Sequence, residues 1–302
     1  EKGLHAHHHA PCSNLPESVM NHDTVTRTLH KRGLISPPKF LVKEECVHYE
    51  TEVGSVAYGV AQSSSDIDIY GFCIPPKEMI FKHLDGEIPG FGRQKKNFDQ
   101  YQQHGIRDDV DEEVVWDLTI YSIVRYFSLC MENNPNMLES LFTPESCVRH
   151  VSPIAQHIRD NRALFLHKGS WHKFRGFAYS QIHKMKNKEP EGKRVALVER
   201  FGFDVKFAYH AVRLMDEAEQ ILTHGDLDLQ AGKEKLIEIR NGEWTQEQVE
   251  SYFEQREKEL DELYQQTEII PHSPDEAAIK NLLLESFEEA WGSLEGVITR
   301  VK

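Results

Sequence analysis

The run Asp66-Ile67-Asp68-Ile69-Tyr70-Gly71 constrains this chain more than any other stretch of it. Strand side chains alternate between two faces, so Asp66 and Asp68 project from one side and Ile67 and Ile69 from the other. The flanking apolar and aromatic residues, Ile67, Ile69 and Phe72, suit a half-buried strand. Upstream, Val47, Tyr49, Thr51 and Val53 also alternate, which predicts a strand over 45–53 running into Gly54-Ser55. A short helix is expected after that Gly-Ser. Such a pairing offers hard oxygen ligands for Mg²⁺ and a turn whose backbone N–H groups can bind phosphates. Taken alone, Ser63-Ser64-Ser65-Asp66 also reads as a polar turn that leaves the Asp pair facing solvent.

Two metal ions can bind the attacking and leaving oxygens of an in-line phosphoryl displacement, and they normally need a third carboxylate. Asp117 is the candidate. It interrupts the run Val114-Val115-Trp116-Asp117-Leu118-Thr119-Ile120-Tyr121, which is apolar enough for a central strand. A carboxylate in such a run is costly unless it is paired or bound to metal. The alternative is a helix N-cap, because the residues from Tyr121 to Met131 read as helical.

Gly54-Ser55, ten intervening residues and then Asp66-x-Asp68 resembles the signature of the DNA polymerase β nucleotidyltransferase superfamily. The fuller string Gly-Ser-x-Ala-Tyr-Gly, then Ser-Asp-x-Asp-x-x-Gly, resembles its RNA-repair-associated branch (RlaP/YcgL-like). A second block follows at Asp117-x-x-x-Tyr121 and Asn134-Pro135-Asn136-Met137-Leu138-Glu139-Ser140-Leu141-Phe142. A third, looser one runs from Gly202 to Leu214. The resemblance implies metal-dependent transfer of a nucleoside monophosphate from an NTP to a hydroxyl, with release of pyrophosphate. Asp66, Asp68 and Asp117 would be the catalytic and metal-binding residues, for two Mg²⁺ or Mn²⁺ ions. Gly54 and Ser55 would bind the β- and γ-phosphates. The preferred acceptor is an RNA 3′ end of tRNA-like type. A protein hydroxyl, a small-molecule hydroxyl, and a non-catalytic nucleotide or RNA sensor stand as alternatives.

The net charge of −14 argues against a generic nucleic-acid binder, but it hides an asymmetry. Residues 149–213 hold 14 Lys and Arg against 5 Asp and Glu, while residues 214–302 hold 8 against 22. A basic segment downstream of an Asp-bearing site suits a triphosphate or a nucleic-acid backbone. It equally suits helices whose basic residues pair with acidic neighbours. Lys206, His210 and Arg213 follow at helical spacing on one face of a helix predicted over 203–222. They are therefore candidates for the triphosphate, with a solvated charged face as the plainer alternative. His210 is expected as a hydrogen-bond donor rather than a general base.

Five Cys without a Cys-x-x-Cys argue against a zinc ribbon or a disulfide framework. Reduced thiols in a cytoplasm fit best. No run is apolar enough to span a membrane, and no signal peptide is expected at an N-terminus that carries a His cluster at 5–9. The expected fold is α/β (α+β). A tail and helix occupy 1–34, with disorder over 1–16 and a helix over 17–33. A small mixed sheet with flanking helices makes a nucleotidyltransferase core at 35–148, and a helical substrate-binding domain fills 149–302. Residues 83–113 show little periodicity and read as a long loop between the two carboxylate strands. Residues 226–268 end in a long acidic helix with a capping-box start near Thr245, and a final helix begins near Asp275.

Overall fold

The structure, a computed structural model, describes residues 23–62 and 66–292. The expected disordered tail over 1–16 and the first part of the helix expected over 17–33 lie outside the described residues. That helix is present as α1 (Val25–Lys31), and the Thr24 hydroxyl accepts from the Arg27 N–H to start it. Two strands follow, β1 (Val47–Val53) and β2 (Ile67–Cys73), then a one-turn helix, α2 (Lys77–Ile80). Strands β3 (Gln100–Arg107) and β4 (Val115–Ser122) lead directly into helices α3 (Ile123–Met131) and α4 (Pro135–Phe142). A short strand, β5 (Val148–Val151), precedes α5 (Pro153–Asp160). The remainder is helical: α6 (Ser170–Asn187), α7 (Lys193–Phe201), α8 (Val205–His224), α9 (Lys233–Arg240), α10 (Gln246–Gln266) and α11 (Glu276–Trp291).

The five strands form one mixed sheet in the order β3-β4-β2-β1-β5. Only the central pair, β2 and β4, is parallel; the other three pairings are antiparallel. The α/β class expected from the sequence is what the chain adopts. Two differences are local. The segment after Gly54 is a hydrogen-bonded turn, with Tyr58 N–H donating to Gly54 O and Val60 N–H to Ser55 O, and not a helix. The segment 83–113 is not all loop, because β3 occupies its second half. Strand β5 begins where the sequence divides the chain, and it pairs with β1.

The sheet separates two apolar layers. Ile69, Leu118, Ile120 and Ile106 pack on one side with Leu29 of α1. Phe72 and Tyr49 pack on the other with α3, α4, α6 and α8. Val47 and Tyr49 lie two apart yet join opposite layers. A register shift between them, with Val47 opposite Cys73 and Tyr49 opposite Phe72, accounts for this: the bulge flips the alternation. Gly71 sits where any side chain would collide, since a Cβ there would lie 2.0 Å from the Tyr49 carbonyl oxygen. The helical layer is built on α8. Asp204 caps it by accepting from the Lys206 and Phe207 N–H groups, and its stripe Val205, Ala208, Tyr209, Val212 and Met215 is fully buried.

Candidate active site between the sheet and the helical layer

Parallel pairing of β2 with β4 sets the central feature of the site. The register places Asp68 directly opposite Asp117, with Ile67 opposite Trp116 and Ile69 opposite Leu118. Residues paired across neighbouring strands share a face, so both carboxylates point toward the helical layer. There they line a cavity of about 790 Å³ together with Gly54, Tyr70, Thr119, Arg194 and His210. Burial, then the Asp117 and Asp66 carboxylates, push the Asp68 carboxyl up to about 6.

Gly54 closes on this pair from β1. Its φ is +78°, a conformation that side-chain-bearing residues rarely adopt, and a Cβ there would lie 3.1 Å from Asp68 Oδ2. The turn it opens is fixed from far along the chain: Arg240 at the end of α9 donates to the Val60 carbonyl at 2.6 Å. Asp66 lies just before β2 and is exposed, with Lys193 Nζ 3.6 Å from its Oδ1. Among the described residues, no three His, Cys, Asp or Glu side chains are drawn together as a metal-ligand group.

Asp117 is held by the edge strand that periodicity does not reveal. Gln103 pairs with Leu118 and Ile106 with Trp116, so His104 and Gly105 together oppose Asp117. This bulge aims the Gly105 N–H at Asp117 Oδ1 (2.7 Å) and His104 Nδ1 at Oδ2 (3.1 Å). Asp117 is not a helix N-cap; that role falls to Ser122, whose hydroxyl accepts from the Arg125 N–H. His104 is a site residue that sequence pattern alone does not select, because a polar edge strand lacks an apolar alternation.

The stripe on α8 is not three free cations. Lys206 is half-buried, and burial together with Arg194 and Arg240 lowers its ammonium from the usual value. His210 is held well below its ordinary value by burial, with Arg213 and Lys206 adding to the effect, so its ring is neutral near pH 7. An arginine can only donate, so the 3.4 Å contact from Arg213 Nη2 makes His210 Nδ1 the acceptor and leaves Nε2–H as a donor. Arg213 itself is buried. It donates to Glu139 and Glu217, and its guanidinium lies 4.2 Å from the centre of the Tyr58 ring. Tyr58 in turn donates to the other Glu139 oxygen at 2.5 Å.

Those contacts join the three sequence blocks in one buried network. Tyr58 comes from the Gly-Ser-x-Ala-Tyr-Gly string, Glu139 from the Asn-Pro-Asn segment and Arg213 from the α8 segment. Over residues 40–285, the chain matches the family described as RlaP: RNA repair pathway DNA polymerase beta family. The chain belongs to that family. It is also 28% identical over 114 residues to an uncharacterized 38.9 kDa protein in the nrdC-mobD intergenic region of Enterobacteria phage T4. That match takes in 37% of this chain and 31% of the phage protein. Membership places the chain in a DNA polymerase beta family of an RNA repair pathway. Among the described residues, no helix is long and apolar enough to cross a membrane, and the four described cysteines are buried free thiols.

Proposed function

We propose that the protein transfers a nucleoside monophosphate from an NTP to a hydroxyl, preferentially the 3′ end of an RNA, and releases pyrophosphate. The observation that supports this most is the in-register Asp68–Asp117 pair on adjacent parallel strands, with the Gly54 backbone against it. The donor set suits Mg²⁺ or Mn²⁺. It consists of hard carboxylate oxygens, and burial together with mutual repulsion has already raised Asp68. Asp66, Asp68 and Asp117 would hold two such ions, which would lower the pKa of the acceptor hydroxyl and offset phosphate charge.

The chain's own residues divide the remaining work. The Gly54-Ser55 turn receives the β- and γ-phosphates. Lys206, with Arg194 beside it, neutralises charge that builds on the departing pyrophosphate. His210 donates its Nε2–H to a phosphate or ribose oxygen. Asp117 orients the acceptor hydroxyl and takes its proton, and His104 and Gly105 hold Asp117 in position for that step. Arg213 supports the floor of the site through Glu139 and Tyr58 rather than gripping phosphate itself.

The test is incubation with each labelled NTP, Mg²⁺ or Mn²⁺, and pooled tRNA and oligoribonucleotides, run beside Asp68→Ala. Metal-dependent label on RNA that falls at least about 100-fold in the variant is the expected result. Full transfer by a natively melting Asp68→Ala protein would exclude the assignment. Label on protein would move the acceptor to a protein hydroxyl. Bound NTP without turnover on any acceptor would favour a nucleotide sensor.

A further inference from the structure

Helix α6 forms one wall of the active-site cavity. His172, Lys173, Phe177, Gln181 and Lys184 line that cavity together with Asp68 and Asp117. From Lys173 onward they recur at steps of three and four residues, so they make one continuous stripe down the helix. The 18 residues of α6 contain four Lys or Arg, two His and no Asp or Glu, in a chain of net charge −14. Its other face is buried in the core through Trp171, Phe174, Ala178, Ile182 and Met185. The cavity face is open by comparison: Lys173 and Lys184 are exposed and Phe177 is half-buried. Lys173 makes a long, exposed ion pair with Glu132 at 3.7 Å, which is easily exchanged for a phosphate.

We infer that this face of α6 is the track for the single-stranded end of the acceptor RNA, with Lys173 and Lys184 on phosphates and a base stacked on Phe177. The inference rests on the nucleotidyl-transfer reading, because that reading supplies the reacting end in the same cavity. Four facts select a polynucleotide strand. First, a helix rises 1.5 Å per residue, so the two lysines stand about 16 Å apart along the axis. That length exceeds one nucleoside and so spans more than one phosphate of a strand. Second, an aromatic platform between cations is the pattern that holds single strands without reading sequence. Third, the other cations near the carboxylates, Lys193, Arg194 and Lys206, gather on the Asp66 side, which leaves α6 for a different ligand. Fourth, Lys173 and Lys184 line the same cavity as Asp117, so the track and the carboxylate assigned to the acceptor share one space.

The experiment is anisotropy of a fluorescein-labelled single-stranded oligoribonucleotide, titrated at several salt concentrations without NTP, beside fluorescent ATP binding to the same proteins. Lys173→Ala/Lys184→Ala is expected to weaken RNA binding at least tenfold. It should also flatten the slope of log affinity against log salt by about 1.4, at about 0.7 for each phosphate no longer neutralised. Phe177→Ala should weaken RNA binding about fivefold or more with the salt slope unchanged, because stacking releases no counterions. Gln181→Glu, an exchange of near-equal size, should weaken RNA binding by placing a negative charge on the track. ATP binding should be unchanged throughout. Unchanged RNA affinity and slope in the double lysine variant overturns the inference. Loss of ATP binding with RNA binding intact overturns it too, and assigns this face to the incoming nucleotide. The two readings fail separately. RNA bound through α6 without any turnover removes the enzyme reading and keeps the track. Turnover on RNA with α6 variants binding normally removes the track and keeps the enzyme.

Discussion

Two pairs of carboxylates sit close together in this protein, and they are treated in opposite ways. Glu139 and Glu217 are buried, and the chain supplies their counter-charge in Arg213. Asp68 and Asp117 face a cavity, and among the described residues no arginine is bonded to either. Asp117 meets a histidine and an amide, and Asp68 is left with its carboxyl raised to about 6. A third buried carboxylate, Glu50, uses another route. It accepts from the Val25 and Thr26 N–H groups and the Thr26 hydroxyl at the start of α1, and burial still pushes it up to about 7. The contrast points to where the ligand belongs. A negative pair that the fold neutralises is scaffold, and one that it leaves repelling is a place for something positive to arrive.

Arg213 is where this contrast breaks most readily. Arg213→Ala leaves two buried carboxylates without a counter-charge, so chemical denaturation should show a loss of about 3–5 kcal/mol. A smaller loss than Asp68→Asn causes would reverse the roles of the two pairs. Next comes Asp68→Asn, which removes repulsion rather than support. It should melt at or above the wild-type temperature in EDTA while losing transfer at least about 100-fold. Added Mg²⁺ should raise the melting temperature of the wild-type protein and do so far less in that variant.

Gly54→Ala should follow, at about 1–2 kcal/mol of stability, since it forces a side chain into a left-handed conformation against Asp68. Its effect on transfer should exceed its effect on stability, because the turn serves the substrate. The last effect is confined to a pH window and belongs to Glu50. Its folded pKa is raised, so its contribution is fully present below about 4.5 and is lost as pH rises through about 7. Glu50→Gln should therefore flatten the decline in stability between pH 5 and 8, by up to about 3 kcal/mol at the upper end. Urea titrations across that range check it, and an unchanged decline would mean that another group titrates.

The parts legible in the sequence were those where local pattern and tertiary role agree. The alternation of β1, the Asp-x-Asp of β2, the apolar run of β4 and the stripe of α8 all announce themselves because each packs apolar residues against the core. The capping box at Thr245 and Gln248 did so through hydrogen-bonding chemistry. Strand β3 did not. Gln100-Tyr101-Gln102-Gln103-His104-Gly105 is an edge strand with exposed polar side chains, and its stability comes from β4 rather than from its own residues. His104 was hidden with it. Arg213 was legible as a position and misleading as a cation. Nothing in helical spacing shows that Glu139, 74 residues earlier, will meet its guanidinium. The basic composition of α6 was visible, but which of its residues face the carboxylates depended on how it packs against α8.

The bond from Arg240 to the Val60 carbonyl spans 180 residues of chain. The Gly54-Ser55 turn, among the earliest parts of the site to be synthesised, is thus braced by a residue of α9. Loop closure over such a distance is slow compared with local helix formation. A polypeptide cut before residue 233 would therefore carry all three aspartates and still lack the clamp on its turn. A polypeptide trimmed to its sheet would therefore keep the carboxylates and lose a hydrogen bond that the second half of the chain supplies to their neighbouring turn.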